Sequence, residues 1–238
     1  MTLQRFALCA AMLIAPTAHA APDPNSYANT DQVRVRKLAL DLAVDFEKHE
    51  MAGTASLQLD WQDPAARELV LDTRDLTIEK VEAFRIGGGP YAAKFRLDPR
   101  DPMYGSALRI ELDGPAPEVR IRYRTAPSAS GLQWMGAELT ANRRHPFLFS
   151  QSQAIHARSW VPLQDTPGVR FTYSARIKAP KPLRVVMSAD NDARHALDGD
   201  WRFQMKQPIP SYLLAIAVGD LDVRETGPRT AVYAEPSV

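Results

Sequence analysis

Apolar and polar side chains alternate along the chain from residue 32 onward. The first alternating run has one slip, at Arg36 and Lys37, and its apolar members are Val33, Val35, Leu38, Leu40, Leu42 and Val44. A period of two predicts a half-buried β-strand, and a slip of one residue predicts a β-bulge within it. A turn over residues 47–53 and a second alternating run over residues 55–61 complete a predicted long hairpin.

The same pattern recurs to the end of the chain, with proline and glycine between the runs. Further strands are predicted over residues 67–72, 76–86, 93–97, 107–112, 118–125, 169–179, 185–189, 200–206, 212–222 and 230–234. Residues 150–167 begin as a strand and end in a proline-bounded turn, and residues 139–143 form at most one helical turn. Many short strands with this punctuation predict an all-β fold. We expect antiparallel sheets packed or bent against each other, as a β-sandwich or saddle.

The first twenty residues have the pattern of a secretory signal peptide. Arg5 precedes an apolar stretch over residues 6–13, and Ala18-His19-Ala20 is a small-x-small cleavage site. The apolar stretch is less than half of the roughly 20 residues that a membrane span needs. We therefore predict cleavage after Ala20 and export to the periplasm or the medium. Residues 21–31 then form a flexible leader, and residues 32–238 form the folded domain.

Composition excludes several classes of chemistry from the mature chain. Cleavage removes Cys9, the only cysteine, and with it any disulfide, cysteine nucleophile or thiolate metal site. Without Arg5, 28 of the 29 basic residues remain, which balance the 28 acidic residues. A balanced charge gives no electrostatic case for binding nucleic acid or an anionic membrane.

Metal sites are weakly indicated. His49 and Glu50 begin like a zincin motif, but Gly53 stands where the second histidine belongs, so no zinc site is expected. Calcium is the alternative, because carboxylate and amide oxygens flank a predicted hairpin. Their spacing, however, matches no known calcium loop. These residues are Asp190, Asn191, Asp192, Asp198 and Asp200. The chain also contains no nucleophile elbow, and Gly87-Gly88-Gly89-Pro90 is typical of a hairpin loop instead of a phosphate loop.

Gln151 and Gln153 are the strongest candidates for ligand binding. On an extended chain they are two residues apart, so both carboxamides would project to one face. Neutral amides can accept a hydrogen bond from an ammonium group and donate one to a carbonyl or carboxylate. Ordinary surface glutamines are the alternative interpretation. His156 and Arg158 follow, and each could be satisfied in the core or in a salt bridge.

Several segments resemble, in order and spacing, the zinc aminopeptidases of peptidase family M1, the family of leukotriene A-4 hydrolase and aminopeptidase N. The similar segments are residues 131–134, 145–158, 164–169, 171–173, 187–189, 208–215 and 227–230. The resemblance implies a β-saddle that covers a zinc domain. It also implies that Gln151, Gln153 and Ala154 line the substrate site, with Gln153 near the peptide's amino group.

The family's zinc-binding and catalytic motifs do not occur before Val238, so we assign no catalytic residue and no cofactor to this chain. In the full-length family the cofactor is zinc. The first hypothesis is therefore the N-terminal, substrate-side domain, or a fragment, of an exported zinc aminopeptidase. Its partners would be the N-terminus of a peptide and a zinc catalytic domain. The alternative is a stand-alone, non-catalytic β-sandwich that binds peptides or another protein.

Overall fold

The structure is a computed structural model that describes residues 23–238; the predicted signal peptide lies outside these residues. Strands dominate the described part, with short 3₁₀ helices at Ala137–Leu139, Ala157–Ser159 and Ser211–Leu213. The strands are β1 (Val33–Asp45), β2 (Glu50–Trp61), β3 (Glu68–Thr73), β4 (Thr77–Phe84), β5 (Pro90–Ala92), β6 (Phe95–Leu97), β7 (Ser106–Glu111), β8 (Glu118–Arg124), β9 (Leu132–Met135), β10 (Phe147–Ser150), β11 (Phe171–Lys178), β12 (Arg184–Met187), β13 (Asp200–Ile209), β14 (Ile216–Gly219), β15 (Asp222–Gly227) and β16 (Thr230–Ala234).

The largest sheet has seven strands in the order β13-β11-β1-β2-β8-β4-β5. The predicted hairpin of β1 and β2 is at its centre, and the predicted bulge lies between Val35 and Lys37. Every pairing in this sheet is antiparallel except β1 with β11, which run parallel. A parallel pair needs a long crossover. Here the chain between β1 and β11 includes most of the other strands and the glutamine segment.

Three smaller sheets complete the fold. Their strand orders are β12-β14-β10-β9, β3-β7-β6 and β15-β16. One cluster of buried apolar side chains includes Leu38 and Leu57 from the large sheet, Leu71 and Leu108 from the three-stranded sheet, and Leu148 from the four-stranded sheet. The all-β prediction of packed or bent sheets is thus confirmed. Among residues 23–238, none of the helices has the length and apolarity needed to cross a bilayer.

The predictions over residues 212–222 and 139–143 differ from the structure in detail. The strand expected over residues 212–222 begins only at Ile216, because the chain first makes the 3₁₀ turn Ser211–Leu213. Pro210 precedes this turn and has no N–H to donate to a strand ladder. The helical turn expected over residues 139–143 is a 3₁₀ turn at Ala137–Leu139.

Leu57 tests the packing of the central hairpin. It is fully buried and lies opposite Leu38, whereas its neighbour Gln58 is exposed. Leu57→Ala should lower the free energy of unfolding by about 2–5 kcal/mol, through lost burial and a residual cavity. Gln58→Ala should change it by less than about 0.5 kcal/mol. Urea unfolding followed by circular dichroism measures both, and equal midpoints for the two variants would contradict this packing.

Candidate functional site

The glutamine segment follows the end of β10. The strand ends at Ser150, and residues 153–156 form a turn in which the Gln153–Ala154 peptide bond is cis. The expectation of an extended chain through Gln153 is therefore wrong: the ladder stops where β10 loses its partner strands. Gln151 and Gln153 are nevertheless both exposed, with Ser152 buried between them, and Ala154 is exposed as well.

Short hydrogen bonds hold the backbone of this segment against the four-stranded sheet. The Gln151 N–H donates to the Gly131 carbonyl oxygen at 2.9 Å. Ser152 Oγ donates to the Leu214 carbonyl oxygen at 2.6 Å and accepts from Trp160 Nε1 at 3.2 Å. Trp160 is fully buried. Because Ser152 Oγ both donates and accepts a hydrogen bond, the backbone positions of its neighbours Gln151 and Gln153 are fixed.

The amides of Gln151 and Gln153 make no side-chain hydrogen bond within the described residues. Gln164, thirteen positions after Gln151, differs because its side-chain amide is hydrogen-bonded. Gln164 is buried; its Oε1 accepts from the Val35 N–H and its Nε2 donates to the Val33 carbonyl oxygen, each at 2.9 Å. Gln164 therefore has a structural role, because its amide is hydrogen-bonded to two residues of β1. The side-chain amides of Gln151 and Gln153, in contrast, have donors and acceptors that are available to a ligand.

Gly131 allows the close approach of β9 to this segment. A Cβ atom at Gly131 would lie 2.5 Å from the His156 carbonyl oxygen and 2.8 Å from Ser159 Oγ. The Gly131 N–H also donates to Ser159 Oγ at 2.8 Å. Only glycine fits here without displacing the turn that follows Gln153.

A buried ion cluster lies directly behind the segment. Arg158 Nε donates to Asp165 Oδ2 at 3.0 Å, and Arg158 Nη1 lies 3.6 Å from Asp72 Oδ1. All three side chains are fully inaccessible to solvent. Arg158 also donates to the carbonyl oxygens of Tyr104 and Asn25 at 3.0 and 2.8 Å. One guanidinium thus joins four distant parts of the chain, and the sequence-based alternative of a salt-bridged Arg158 is confirmed.

Asp72 connects the first described residues to the same cluster. Its Oδ1 accepts from the Tyr27 N–H at 2.8 Å, and its Oδ2 accepts from Ser26 Oγ at 2.6 Å and from the Asp165 N–H at 2.8 Å. Burial raises the pKa of Asp72, and Arg158 with these donors opposes that rise. Residues 25–27, which the polar composition places in a flexible leader, are hydrogen-bonded to the core in the structure.

His156 belongs to a second polar group next to the cluster. Its Nδ1 lies 3.1 Å from Arg74 Nη1 and 2.9 Å from Ser130 Oγ. Since Arg74 can only donate, Nδ1 accepts and the imidazole is neutral with its proton on Nε2. Burial and then the positive charge of Arg74 lower the pKa of His156 below its usual range. This is a structural histidine that fixes the end of the turn after Gln153.

The described residues do not fit zinc. Within residues 23–238, no three His, Cys, Asp or Glu side chains come together as a metal-binding group. His49 is in a turn and stacks on Trp134, with ring centroids 5.4 Å apart, and does not lie on a helix. The carboxylates weighed for calcium have other partners: Asp200 pairs with Arg176 and Asp190 with Lys206.

Comparisons with known proteins agree with the fold. Residues 23–213 match the Peptidase M1 N-terminal domain family, so the chain belongs to that family. Leukotriene A-4 hydrolase of Xenopus laevis is 40% identical over 223 residues, covering 90% of this chain and 36% of the relative. Leucine aminopeptidase 2 of Yarrowia lipolytica is 37% identical over 220 residues, covering 90% of this chain and 32% of the relative. The chain thus spans about a third of the length of these relatives.

Solved structures give the same picture. Native leukotriene A4 hydrolase from Saccharomyces cerevisiae superposes with a TM-score of 0.83 at 35% identity, covering 93% of this chain and 34% of that one. An M1 zinc metallopeptidase from Deinococcus radiodurans superposes with a TM-score of 0.63 at 18% identity, covering 85% of this chain and 46% of that one, which supports the fold alone.

Sequence reasoning located the glutamine segment but not what holds it. The partner of Arg158 at Asp72 is 86 positions away in the chain, and nothing in the local pattern around either residue indicates the other. The one available signal was Arg158 itself, since an arginine that is buried requires a counter-charge.

Arg158→Met should lower the free energy of unfolding by about 3–5 kcal/mol, because it leaves Asp72 and Asp165 buried without a cation. The matched control is Arg176→Met, which removes the partner of Asp200 from a half-exposed pair and should cost less than about 1 kcal/mol. Urea unfolding measures both losses. Equal losses would show that the cluster has no special stabilising role.

NMR titration of His156 checks its environment. The folded-state pKa should lie below the unfolded value of about 6.5, so His156 contributes stability above that pH, which is lost as the pH falls through the folded-state pKa. Arg74→Gln should raise the pKa, and Lys80→Gln, at an exposed site, should leave it unchanged. A pKa of His156 that does not respond to Arg74→Gln would contradict the assigned contact.

Proposed function

We propose that this chain is the substrate-side domain of an exported zinc aminopeptidase, and that it presents Gln151 and Gln153 to the N-terminal end of a peptide. The observation that carries the proposal is the contrast described above: two exposed amides without intramolecular partners on a backbone that is fixed on both sides. In this role Gln153 accepts a hydrogen bond from the peptide's ammonium group, and Gln151 bonds the adjacent backbone. Ala154 lines the same surface.

Hydrolysis requires groups other than those of residues 23–238. Zinc supplies a Lewis acid and an activated water in metallopeptidases, and the described residues offer no ligand set for it. A surface that binds the substrate without stabilising the transition state gives no rate enhancement. The chain therefore orients the peptide terminus, and a zinc domain of the kind that the M1 relatives carry performs the reaction.

A stand-alone peptide-binding module is the second candidate. It is favoured by the hydrophobic core, which the described residues form among themselves. The coding sequence beyond codon 238 separates the two candidates. A helix there with two histidines four residues apart and a glutamate between them supports the aminopeptidase, and peptide binding without such a helix supports the module.

The direct test uses the purified chain and the tripeptide leucyl-glycyl-glycine in isothermal titration calorimetry. We expect weak binding, with Kd on the order of 1 mM. N-acetylation should abolish it, because it removes the ammonium group. Gln153→Ala should weaken binding by about fivefold or more, the loss of one hydrogen bond to a charged group. Gln58→Ala is the matched control, since Gln58 is also exposed and makes no side-chain hydrogen bond within the described residues.

Three results would contradict the proposal. Equal binding of the free and acetylated peptides would show that the ammonium group is not recognised. An equal loss of affinity in Gln58→Ala and Gln153→Ala would show that Gln153 has no specific part in binding. Zinc-dependent, chelator-sensitive release of anilide from leucyl-anilide by the isolated chain would place catalysis here after all.

Export belongs to the same proposal and depends on the pattern of residues 1–20. N-terminal sequencing of the protein recovered from the periplasm or the medium should start at Ala21. Recovery of the chain in the cytoplasm with Met1 intact would contradict export.

A further inference from the structure

A cavity of about 210 Å³ lies between the four-stranded and seven-stranded sheets, away from the glutamine segment. β12 contributes Arg184 and Val185 to its lining, β13 contributes Trp201 and Phe203, and the loop between these strands contributes Asp192. Tyr233 of the last strand lines it as well. Phe203 and Trp201 are both buried and form the apolar part of the wall on the β13 side, and the exposed Arg202 adds a second cation to the lining there.

Arg184 is a buried cation with no carboxylate partner among the described residues. Its exposed fraction is only 8%, and no carboxylate oxygen of residues 23–238 lies within 4.0 Å of its guanidinium nitrogens. Nε donates to the Leu221 carbonyl oxygen at 3.0 Å and Nη1 to the Ala193 carbonyl oxygen at 3.3 Å. Carbonyl oxygens do not neutralise the charge, and Nη2 donates to nothing in the described chain. Buried charges in proteins are normally paired.

Trp201 also lines the cavity and has a buried donor without a partner in the described chain. Its side chain is 3% exposed, and Nε1 is buried without a hydrogen-bond partner in the described residues. The guanidinium carbon of Arg184 lies 5.5 Å from the centre of the indole ring. A buried indole N–H usually finds an acceptor, and a ligand in the cavity that Trp201 lines could supply one.

We propose that this cavity binds a small carboxylate with an apolar body. The guanidinium of Arg184 supplies the charge and a planar fork of donors that matches a carboxylate, and Trp201 Nε1 supplies a further N–H. Val185 and Phe203 accommodate the apolar part. Asp192 lines the cavity too, with Oδ1 held by the Arg194 N–H at 2.9 Å, and its negative charge weakens the binding of an anion. The inference shares no residue with the peptide-binding proposal, so either can fail alone.

The test follows the indole N–H resonance of Trp201 by ¹H–¹⁵N NMR while sodium isovalerate is added to the full chain. Trp201→Phe assigns that resonance by its loss. We expect a saturable shift with Kd on the order of 1 mM, and binding at least about tenfold weaker for the neutral isostere isovaleramide. Arg184→Gln should weaken isovalerate binding at least about tenfold, and Asp192→Asn should strengthen it.

Arg170→Gln is the control, because Arg170 is exposed and lies outside the cavity lining; it should leave the titration unchanged. Thermal unfolding of each variant shows whether it folds, and if Arg184→Gln does not, Asp192→Asn alone still tests the charge dependence. Equal shifts with isovalerate, isovaleramide and sodium sulfate, or no shift with isovalerate, would overturn the proposal.

Discussion

The buried pairing of Arg158 with Asp72 and Asp165 is the constraint on which the candidate site depends. The cluster joins the first described residues, the three-stranded sheet and the turn after Gln153, which are far apart in the sequence. Desolvating two carboxylates and a guanidinium is costly, and the cost is offset only when the geometry is fixed. The same cost gives the arrangement its specificity, because a chain that misplaced any of these segments would bury an unpaired charge. The glutamine segment leads into this cluster at Arg158, so its C-terminal end is fixed by the same requirement.

In the proposed function, recognition and reaction are assigned to different parts of the protein. The exposed amides of Gln151 and Gln153 are suited to binding a polar peptide end, whereas the described residues assemble no metal-binding group. Membership in the M1 N-terminal domain family agrees with such a division, because its members that match this chain are about three times longer. Two further arginines, Arg74 and Arg184, are buried without a carboxylate partner among the described residues, whereas Arg158 has two; of these three, Arg184 is the one that lines a cavity. The missing counter-charge together with the cavity is the basis for treating Arg158 as structural and Arg184 as part of a ligand site.

Much of the fold could be predicted because a strand with one buried face has alternating apolar and polar residues in its sequence. Val33, Val35, Leu38, Leu40, Leu42 and Val44 are all buried, and the slip at Arg36 is the observed bulge. The parallel pairing of β1 with β11 could not be predicted, since neither strand carries a local mark of its partner. The conformation after Ser150 was missed for a related reason. Polar residues continue along the sequence there, but the pairing of β10 with β9 and β14 ends at Ser150. Long-range ion pairs such as Arg158 with Asp72 leave only an isolated charge in the sequence.

Amide hydrogen exchange of the unmodified chain tests the central claim most directly. If the ion cluster fixes the distant segments, the Tyr27 and Asp165 amides, which donate to Asp72, should exchange as slowly as amides in the β1–β2 ladder. The Gln151 amide, bonded to Gly131, should be protected as well, although its side chain is exposed. Exchange of the Tyr27 and Asp165 amides at the rate of open loops, with β1 and β2 still protected, would contradict the account.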